Sequence, residues 1–302
     1  MYEEKTMYKY LKISSIALIT GSVMAAMVNA ADTPDAEVLD TEQPYENQSS
    51  WTDRLEISVG LTEDLEPTIS ALTVQPLQQD ADGRNTIFTQ LSHFSYEQFD
   101  DRKNTTNLGL GFRNVSDDNS LLIGANIFYD YEWEEGHQRL GFGLEAKMDR
   151  LDFTLNFYDA ISDEKAIDAN VDELALDGYD VTLRTQLPYM PWATLGLQYY
   201  EWDSIDFDDI EGTKISLDVN LTENMDLELG LSDDNDSDQT VFANLTYNFG
   251  GNSSRPNMSD GYDTEAFVTG SDMRDHNLDK VRRQNKIITE RDSTGVTISR
   301  KN

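Results

Sequence analysis

Hydrophobic and polar residues alternate along most of the chain between Arg54 and Phe249. The stretch Arg139–Met148 is the clearest example: Leu, Phe, Leu, Ala and Met fall on one side, and Arg, Gly, Gly, Glu and Lys on the other. Successive side chains of a β-strand point to opposite faces, so this pattern predicts strands with one apolar and one polar face. Many such strands in succession are typical of an outer-membrane β-barrel, whose apolar face meets lipid.

Turn residues divide the alternating region into twelve predicted strands, each close to the ~9–11 residues that a tilted transmembrane strand requires. The predicted strands are 54–62, 67–76, 86–96, 104–114, 120–131, 138–148, 150–158, 178–187, 192–202, 213–222, 224–232 and 239–249. An even number brings both ends of the sheet to one side of the membrane, as in bacterial barrels. The predicted fold is therefore all-β, a transmembrane antiparallel up-and-down β-barrel over residues 54–249.

The predicted connections differ in length according to the end of the barrel at which they lie. The connections at 149–150 and 188–191 are tight, whereas 159–177 is long and 203–211 and 233–238 are acidic. Periplasmic turns of such barrels are short and extracellular loops are longer. The long, acidic loops are therefore expected at the cell exterior.

Charged residues of the alternating region are expected inside the barrel, because a charge facing lipid at mid-depth is costly. The predicted lumen-lining residues are Glu56, Arg113, Asp130, Arg139, Glu145, Lys147, Asp152, Asp180, Arg184, Asp218, Asp226 and Glu228. Aromatic residues gather near the strand ends, as in the interfacial girdles of membrane barrels. The predicted girdle residues are Tyr129, Tyr131, Trp133, Tyr158, Tyr189, Trp192, Tyr199, Tyr200 and Trp202.

The composition excludes several classes of function. The formal net charge is −34, from 57 acidic and 23 basic residues, so the surface repels nucleic acid. The chain contains no cysteine, which excludes disulfides and thiolate chemistry, and its three histidines argue against a histidine-built zinc site. We expect no cofactor, no metal and no catalytic residue.

The N-terminal residues 1–30 are predicted to be a cleaved signal peptide. Lys5, Lys9 and Lys12 precede a short apolar run that ends in small residues, with cleavage expected after Ala30. The acidic, polar stretch 31–53 is interpreted as a periplasmic lead-in. Together with the strand pattern, this predicts export to the outer membrane of a Gram-negative bacterium.

Residues 250–302 depart from the strand pattern and are interpreted as a linker and tail. Leu278, Val281, Asn285 and Ile288 fall near helical spacing, which predicts a helix. The basic and polar positions of this stretch are Lys280, Arg282, Arg283, Asn285 and Lys286. The segment is expected to thread the acidic pore and neutralise it. A solvated basic tail is the alternative.

The last predicted strand ends in Tyr247 and Phe249, two alternate aromatic residues. This ending resembles the signal that the barrel-assembly machinery recognises on a closing strand. Asn244 departs from that signal, in which a small glycine is usual. The alternative interpretation is a lipid-facing aromatic edge.

Several ordered motifs resemble the barrel domain and linker of inverse autotransporters, the intimin/invasin family of type V secretion. The motifs are Asn107–Arg113, Gly124–Asp130, Arg139–Ala146, Gly178–Arg184 and Asp279–Ile288. The resemblance implies a twelve-stranded barrel whose linker runs through the pore and displays a passenger that often adheres to host cells. It also implies outer-membrane lipid, the barrel-assembly machinery and periplasmic chaperones as partners.

Two stretches differ from what the resemblance leads one to expect. Residues 31–53 are too few for a peptidoglycan-binding module, and Thr289–Asn302 are too few for a passenger domain. The sequence therefore predicts a translocator barrel without its own passenger, which a separate chain or a host surface would complement.

Two other functions remain open at this stage. One is a small outer-membrane pore, or a surface protein that acts through its acidic loops. The other is an outer-membrane phospholipase, because His93 and Ser95 place a base and a nucleophile on one strand face. Asp234, Asp236 and Asp238 alternate as in a calcium loop, but the turn glycine and the distal glutamate are missing.

Overall fold

The computed structural model describes residues 50–63, 67–168, 170–205, 207–237, 239–251, 256–267 and 270–293. The predicted signal peptide, most of the lead-in, Asp238 and residues 294–302 lie outside these ranges.

Fifteen strands form in the described part of the chain. They are β1 (Leu55–Thr62), β2 (Pro67–Gln79), β3 (Asn85–Gln98), β4 (Asp101–Val115), β5 (Leu121–Glu132), β6 (Gln138–Met148), β7 (Leu151–Ala160), β8 (Lys165–Asp168), β9 (Val171–Ala175), β10 (Asp177–Leu187), β11 (Met190–Asp203), β12 (Ile210–Thr222), β13 (Met225–Asp234), β14 (Thr240–Asn248) and β15 (Thr289–Ser293). All except β8, β9 and β15 form one closed antiparallel barrel, so the predicted twelve-stranded barrel is confirmed.

The barrel closes where β1 pairs with β14, in a register that runs from Glu56 opposite Asn248 to Thr62 opposite Phe242. Outward side chains of the strands are apolar and exposed, as at Ile57, Val59 and Leu61. So large an exposed apolar belt requires lipid around it. Among the described residues, no helix is both long enough and apolar enough to cross a membrane.

The two ends of the barrel differ. At one end, here called the turn end, the connections are short, as at Asp149–Arg150 and Glu223–Asn224. The opposite, loop end carries a three-stranded sheet in the order β15–β9–β8, which the sequence did not predict. Also at the loop end, Phe99 and Asp100 join β3 to β4 with φ of 54° and 62°. Two successive residues of positive φ form the tight hairpin turn that suits twisted strands, so β3 and β4 are longer than predicted.

The chain from Met273 to Ile288, here called the pore segment, runs inside the barrel from the turn end to the loop end. Apart from one 3-10 turn at Met273–His276 it is extended and irregular, so the predicted linker helix is wrong. The reason lies in its backbone, whose polar groups bond to the barrel. Arg113 donates to the carbonyl of Asn277, and the N–H of Val281 donates to Gln90. A helix would use these groups internally.

Only some of the aromatic residues predicted for the girdle lie on the outer surface. Trp133, Tyr189 and Tyr199 are exposed near strand ends. Tyr158 and Trp202 are instead buried against each other inside the lumen, with their ring centroids 5.2 Å apart. They pack with the loop-end part of the pore segment through Ile288, because that part of the segment is apolar and needs an apolar partner.

Candidate functional site

Asp130 forms the centre of the charged lumen. The Nη1 and Nη2 atoms of Arg283 donate to its two carboxylate oxygens, both at 2.7 Å. Arg139 donates from Nε at 2.9 Å, and Asn107 donates from its amide at 2.8 Å. Asp130 and Arg139 are 0% exposed and the Arg283 side chain is 1% exposed. One barrel carboxylate therefore joins a barrel arginine to an arginine of the pore segment, in the bidentate geometry that makes such pairs strong.

Arg113 holds the turn-end part of the pore segment by its backbone. Its Nε and Nη2 atoms donate to Glu145 at 2.6 and 3.1 Å, which fixes the guanidinium. Its Nη1 atom then donates to the carbonyls of Asn277 and Asp279 at 2.8 and 2.7 Å. Because Arg113 has five donors in a rigid fork, it binds the carboxylate and the chain at once.

Two aromatic rings pack against the guanidinium groups of Arg113 and Arg283. The Arg113 guanidinium lies 4.4 Å from the ring centroid of Phe88, and that of Arg283 lies 4.3 Å from the centroid of Phe128. Inward glycines of β4 leave room for both rings. A Cβ at Gly109 would lie 2.3 Å from Phe128, and one at Gly111 would lie 2.2 Å from Phe88. The glycines of the Asn107–Arg113 motif thus make space for the rings under the arginines.

Arg139 and Tyr158 fix the next residue of the pore segment, Gln284. Arg139 donates from Nη2 to the Gln284 carbonyl at 2.7 Å, and the Gln284 N–H donates to the Tyr158 hydroxyl at 2.6 Å. That hydroxyl donates in turn to Asp180 at 2.6 Å. The backbone N–H and carbonyl of Gln284 are therefore both hydrogen-bonded to the barrel wall, and these bonds do not depend on which side chain residue 284 carries.

The lysines of the lumen form contacts near its two ends. Lys147 lies 2.9 Å from the Asp279 carboxylate, and Lys280 lies 2.6 Å from that of Glu56. Lys286 donates to the Thr68 hydroxyl at 3.1 Å. Since several of these groups are partly exposed, each contact is weaker than the Asp130 cluster.

Arg282 and Asn285 complete the polar contacts of the pore segment. Arg282 lies 3.4 Å from Asp218, which also binds Arg184 at 2.7 Å. The Asn285 carbonyl accepts a hydrogen bond from Asn107 at 2.9 Å, while its amide donates to the Arg283 carbonyl at 3.4 Å. Asp218 therefore joins an arginine of the barrel wall to an arginine of the pore segment.

Val281 gives the pore segment an apolar anchor. Its side chain is 2% exposed and packs in a buried cluster with Leu72, Val74, Phe88 and Phe128. Leu278 packs against the same cluster. The polar lumen therefore contains an apolar patch at this level, and the side chain of the segment that lies there must be apolar too.

At the loop end, Glu173 of β9 holds the chain that leaves the lumen. Lys103 donates to it at 2.9 Å, Arg291 of β15 at 2.7 Å, and His137 lies 3.1 Å away. Burial raises the pKa of Glu173, but these three hydrogen bonds outweigh burial and lower the pKa from 4.5 to about 2. The carboxylate thus stays charged and joins the barrel to the strand that follows the pore segment.

Sequence reasoning missed Phe88, Phe128 and Glu173. The two phenylalanines were detectable, because each occupies an inward position between polar residues of its strand. Glu173 gave no such signal, since its partners are distant in sequence.

The residues on which the phospholipase and calcium-loop hypotheses rest contact different partners. His93 contacts the Thr106 hydroxyl at 3.0 Å, whereas Ser95 accepts a hydrogen bond from Arg102 at 2.9 Å. Asp234 accepts from the hydroxyls of Tyr200 and Ser237.

The predicted closing-strand signal lies on the outer surface of β14 and just beyond it. Tyr247 and Phe249 are 47% and 46% exposed, and their rings meet edge to face at 5.2 Å. Their exposure leaves both rings accessible to a partner or to lipid.

Three carboxylates meet at the loop end without having been predicted from sequence. Oxygen atoms of Glu201, Asp203 and Asp209 lie within 4.8 Å of one another. The Tyr179 hydroxyl donates to Glu201 at 2.7 Å, and the Ser204 N–H donates to Asp209 at 3.2 Å. These bonds connect the group to β10 and to the residue that follows β11.

Comparisons with known proteins agree with this architecture. An uncharacterized protein of Escherichia coli K12, YchO, is 32% identical over 103 residues, which are 33% of this chain and 22% of YchO. A solved membrane-protein structure from work on in-meso crystallization covers 79% of this chain and 99% of its own, with a TM-score of 0.62 and 17% identity. Outer membrane phospholipase A from E. coli covers 65% of this chain and 93% of its own, with a TM-score of only 0.43 and 11% identity.

The family comparison covers most of the chain. Residues 36–285 match the description "Inverse autotransporter, beta-domain", a non-enzymatic family of barrels in the bacterial outer membrane. The match includes the whole barrel and the pore segment as far as Asn285. The chain therefore belongs to the inverse autotransporter β-domain family.

Proposed function

We propose that this outer-membrane translocator barrel leads its own C-terminal chain through the lumen, from the periplasm at the turn end to the cell exterior at the loop end. The observation that supports this most strongly is the Asp130–Arg283 pair, in which wall and segment share a fully buried bidentate contact. A merely solvated tail would have no reason to bury an arginine.

The direction of the chain follows from the connections. Tight turns suit the periplasmic end of a barrel and longer loops suit the exterior. The pore segment starts beside the turn-end residue Asn119, whose carbonyl accepts from the Met273 N–H, and β15 leaves at the loop end. We infer that β15 emerges at the cell exterior, where a passenger or a host surface is reached.

Assembly is the first step of this proposed function. Outer-membrane lipid covers the apolar belt, and Tyr247 and Phe249 serve as the signal for the barrel-assembly machinery after periplasmic chaperones deliver the exported chain. The signal peptide 1–30 and the lead-in 31–53 act before this step. Once closed, the barrel needs no covalent chemistry, because the lumen contacts hold the linker.

Protease treatment of intact cells tests the direction. An epitope inserted between residues 293 and 294 should be removed by added protease, whereas the same epitope between Glu223 and Asn224 should be protected. Protection of the first epitope in a correctly folded, heat-modifiable barrel would contradict the proposal.

We propose structural rather than catalytic roles for His93 and Ser95. Each bonds to a different residue of β4, Thr106 and Arg102, so the pair lacks the mutual contact that a nucleophile and its base need. A phospholipase assay on the purified barrel should give the same signal for the unsubstituted protein, the Ser95→Ala variant and empty vesicles. A signal that Ser95→Ala abolishes would show an enzyme.

A further inference from the structure

The pore segment leaves part of the lumen unfilled. Its backbone is hydrogen-bonded to β3, β4, β6 and β7, and a cavity of about 690 Å³ remains towards β1 and β10 to β14. The cavity opens at the loop end beside Asp236 and Ser237. Its walls include Ser58, Ser216, Glu228 and Thr246. Apolar side chains, among them Leu197 and Phe242, also line it. A space of this size with several polar groups in its walls holds water.

A second cavity, of about 110 Å³, opens at the turn end. Asp149, Pro191 and Pro256 lie around it. Of the described residues, Arg184 is the one that lines both cavities. Arg184 is therefore the shared wall of two cavities, one that reaches the loop end and one that lies at the turn end.

Charged partners hold that side chain across the gap. Arg184 Nη2 lies 2.7 Å from Asp218, and Nη1 lies 3.9 Å from Asp152, which lines the turn-end cavity. Arg282 of the pore segment approaches Asp218 from the loop-end side at 3.4 Å. Gly196 adds no side chain here; a Cβ on it would lie 2.6 Å from the Ser216 hydroxyl.

We propose that the barrel conducts small inorganic ions along this second route, beside the occupied pore, and that Arg184 is its gate. The polar groups of both cavities let an ion exchange part of its hydration shell for protein contacts and keep the rest. Swinging the guanidinium out from between Asp152 and Asp218 joins the two cavities. The pore segment itself does not move, since its clamps at Asp130 and Arg113 lie on β5 and β4, three and four strands away from Arg184 on β10.

Planar-bilayer recording of the full chain in potassium chloride tests the gate. Arg184→Ser should raise the conductance several-fold. The variant is expected to fold, because Asp218 keeps Arg282 as its partner and no lone charge is buried. Asp152→Asn, at a half-exposed position, should make openings of the unsubstituted size more frequent. The control Arg102→Ser removes an arginine from the outer face and should change nothing.

Trypsin digestion distinguishes conductance beside the pore segment from conductance that arises because the segment has left the lumen. The bonds after Arg282, Arg283 and Lys286 should stay uncut in Arg184→Ser, as in the unsubstituted protein. Conductance that rises in neither Arg184→Ser nor Asp152→Asn overturns the proposal, as does an equal rise in Arg102→Ser. A rise accompanied by cleavage after Arg283 also overturns it, since the segment would then have left the lumen.

Discussion

Replacing Asp130 by asparagine should release the pore segment. Asparagine keeps the shape of the side chain and removes its negative charge. Arg283 and Arg139, both buried, would then lose the carboxylate that each contacts, at 2.7 and 2.9 Å. Arg139 keeps its position over the Tyr158 ring of the wall, whereas its bond to the Gln284 carbonyl lasts only while the segment stays in the lumen. Most of the lost stabilisation therefore concerns Arg283, which belongs to the pore segment.

The size of the effect follows from the burial of the pair. Removing one partner of a buried ion pair costs about 3–5 kcal/mol. One tenfold change corresponds to about 1.4 kcal/mol, so the ratio of held to released segment should fall by roughly two to nearly four orders of magnitude. An exposed pair would give only about 0–1 kcal/mol, less than tenfold.

Limited trypsin digestion of the folded barrel measures this ratio. The bonds after Arg282 and Arg283 can be cut only when the segment leaves the lumen, so the cleavage rate follows the released population when opening is fast. Glu228→Gln is the matched control, because Glu228 bonds to the barrel residues Lys214 and Asn244. Unchanged protection in Asp130→Asn, or equal acceleration in Glu228→Gln, would refute the reasoning.

Three further predictions concern other parts of the molecule. Glu173, whose pKa is lowered from 4.5 to about 2, stabilises the β15–β9 pairing above pH 4.5, and this stabilisation is lost as the pH falls towards 2. Hydrogen exchange of the β15 amides should therefore become faster over this pH range. The Glu173→Gln variant should show no such pH dependence. Gly109→Ala forces a Cβ against Phe128 and should lower barrel stability by about 1–3 kcal/mol in semi-native electrophoresis; Phe128→Leu in the same chain should restore part of it. Phe249→Ala should slow the appearance of folded barrel in cells but leave refolding into lipid vesicles unchanged; equal slowing in both would mean a role in folding itself.

The barrel was predictable because its signal is local. A period of two is a property of each strand, and the cost of a charge in lipid decides which face turns inward. The same alternation places Phe88 and Phe128 inside the barrel, although both are apolar. The rule that polar residues face the lumen therefore has exceptions.

The contacts across the lumen were not predictable. Asp130 and Arg283 are separated by 153 positions, and nothing in either neighbourhood selects the partner. The strands β8, β9 and β15 have four or five residues each and carry charges without an apolar period. Their pairing is decided by position above the barrel, since strand preference depends strongly on context. The failed helix prediction has the same origin, because the backbone partners of the pore segment lie on the barrel wall.

The lumen holds the pore segment by two kinds of contact with different sequence requirements. Arg113, Arg139 and Asn107 bind its backbone carbonyls, which every residue offers. Arg283 at Asp130 and Val281 in the apolar cluster require particular side chains. Backbone contacts alone would hold a chain in any register, so side-chain contacts such as these two set the position of the segment. Since they are only two positions apart in sequence, a shift by a single residue breaks both contacts together.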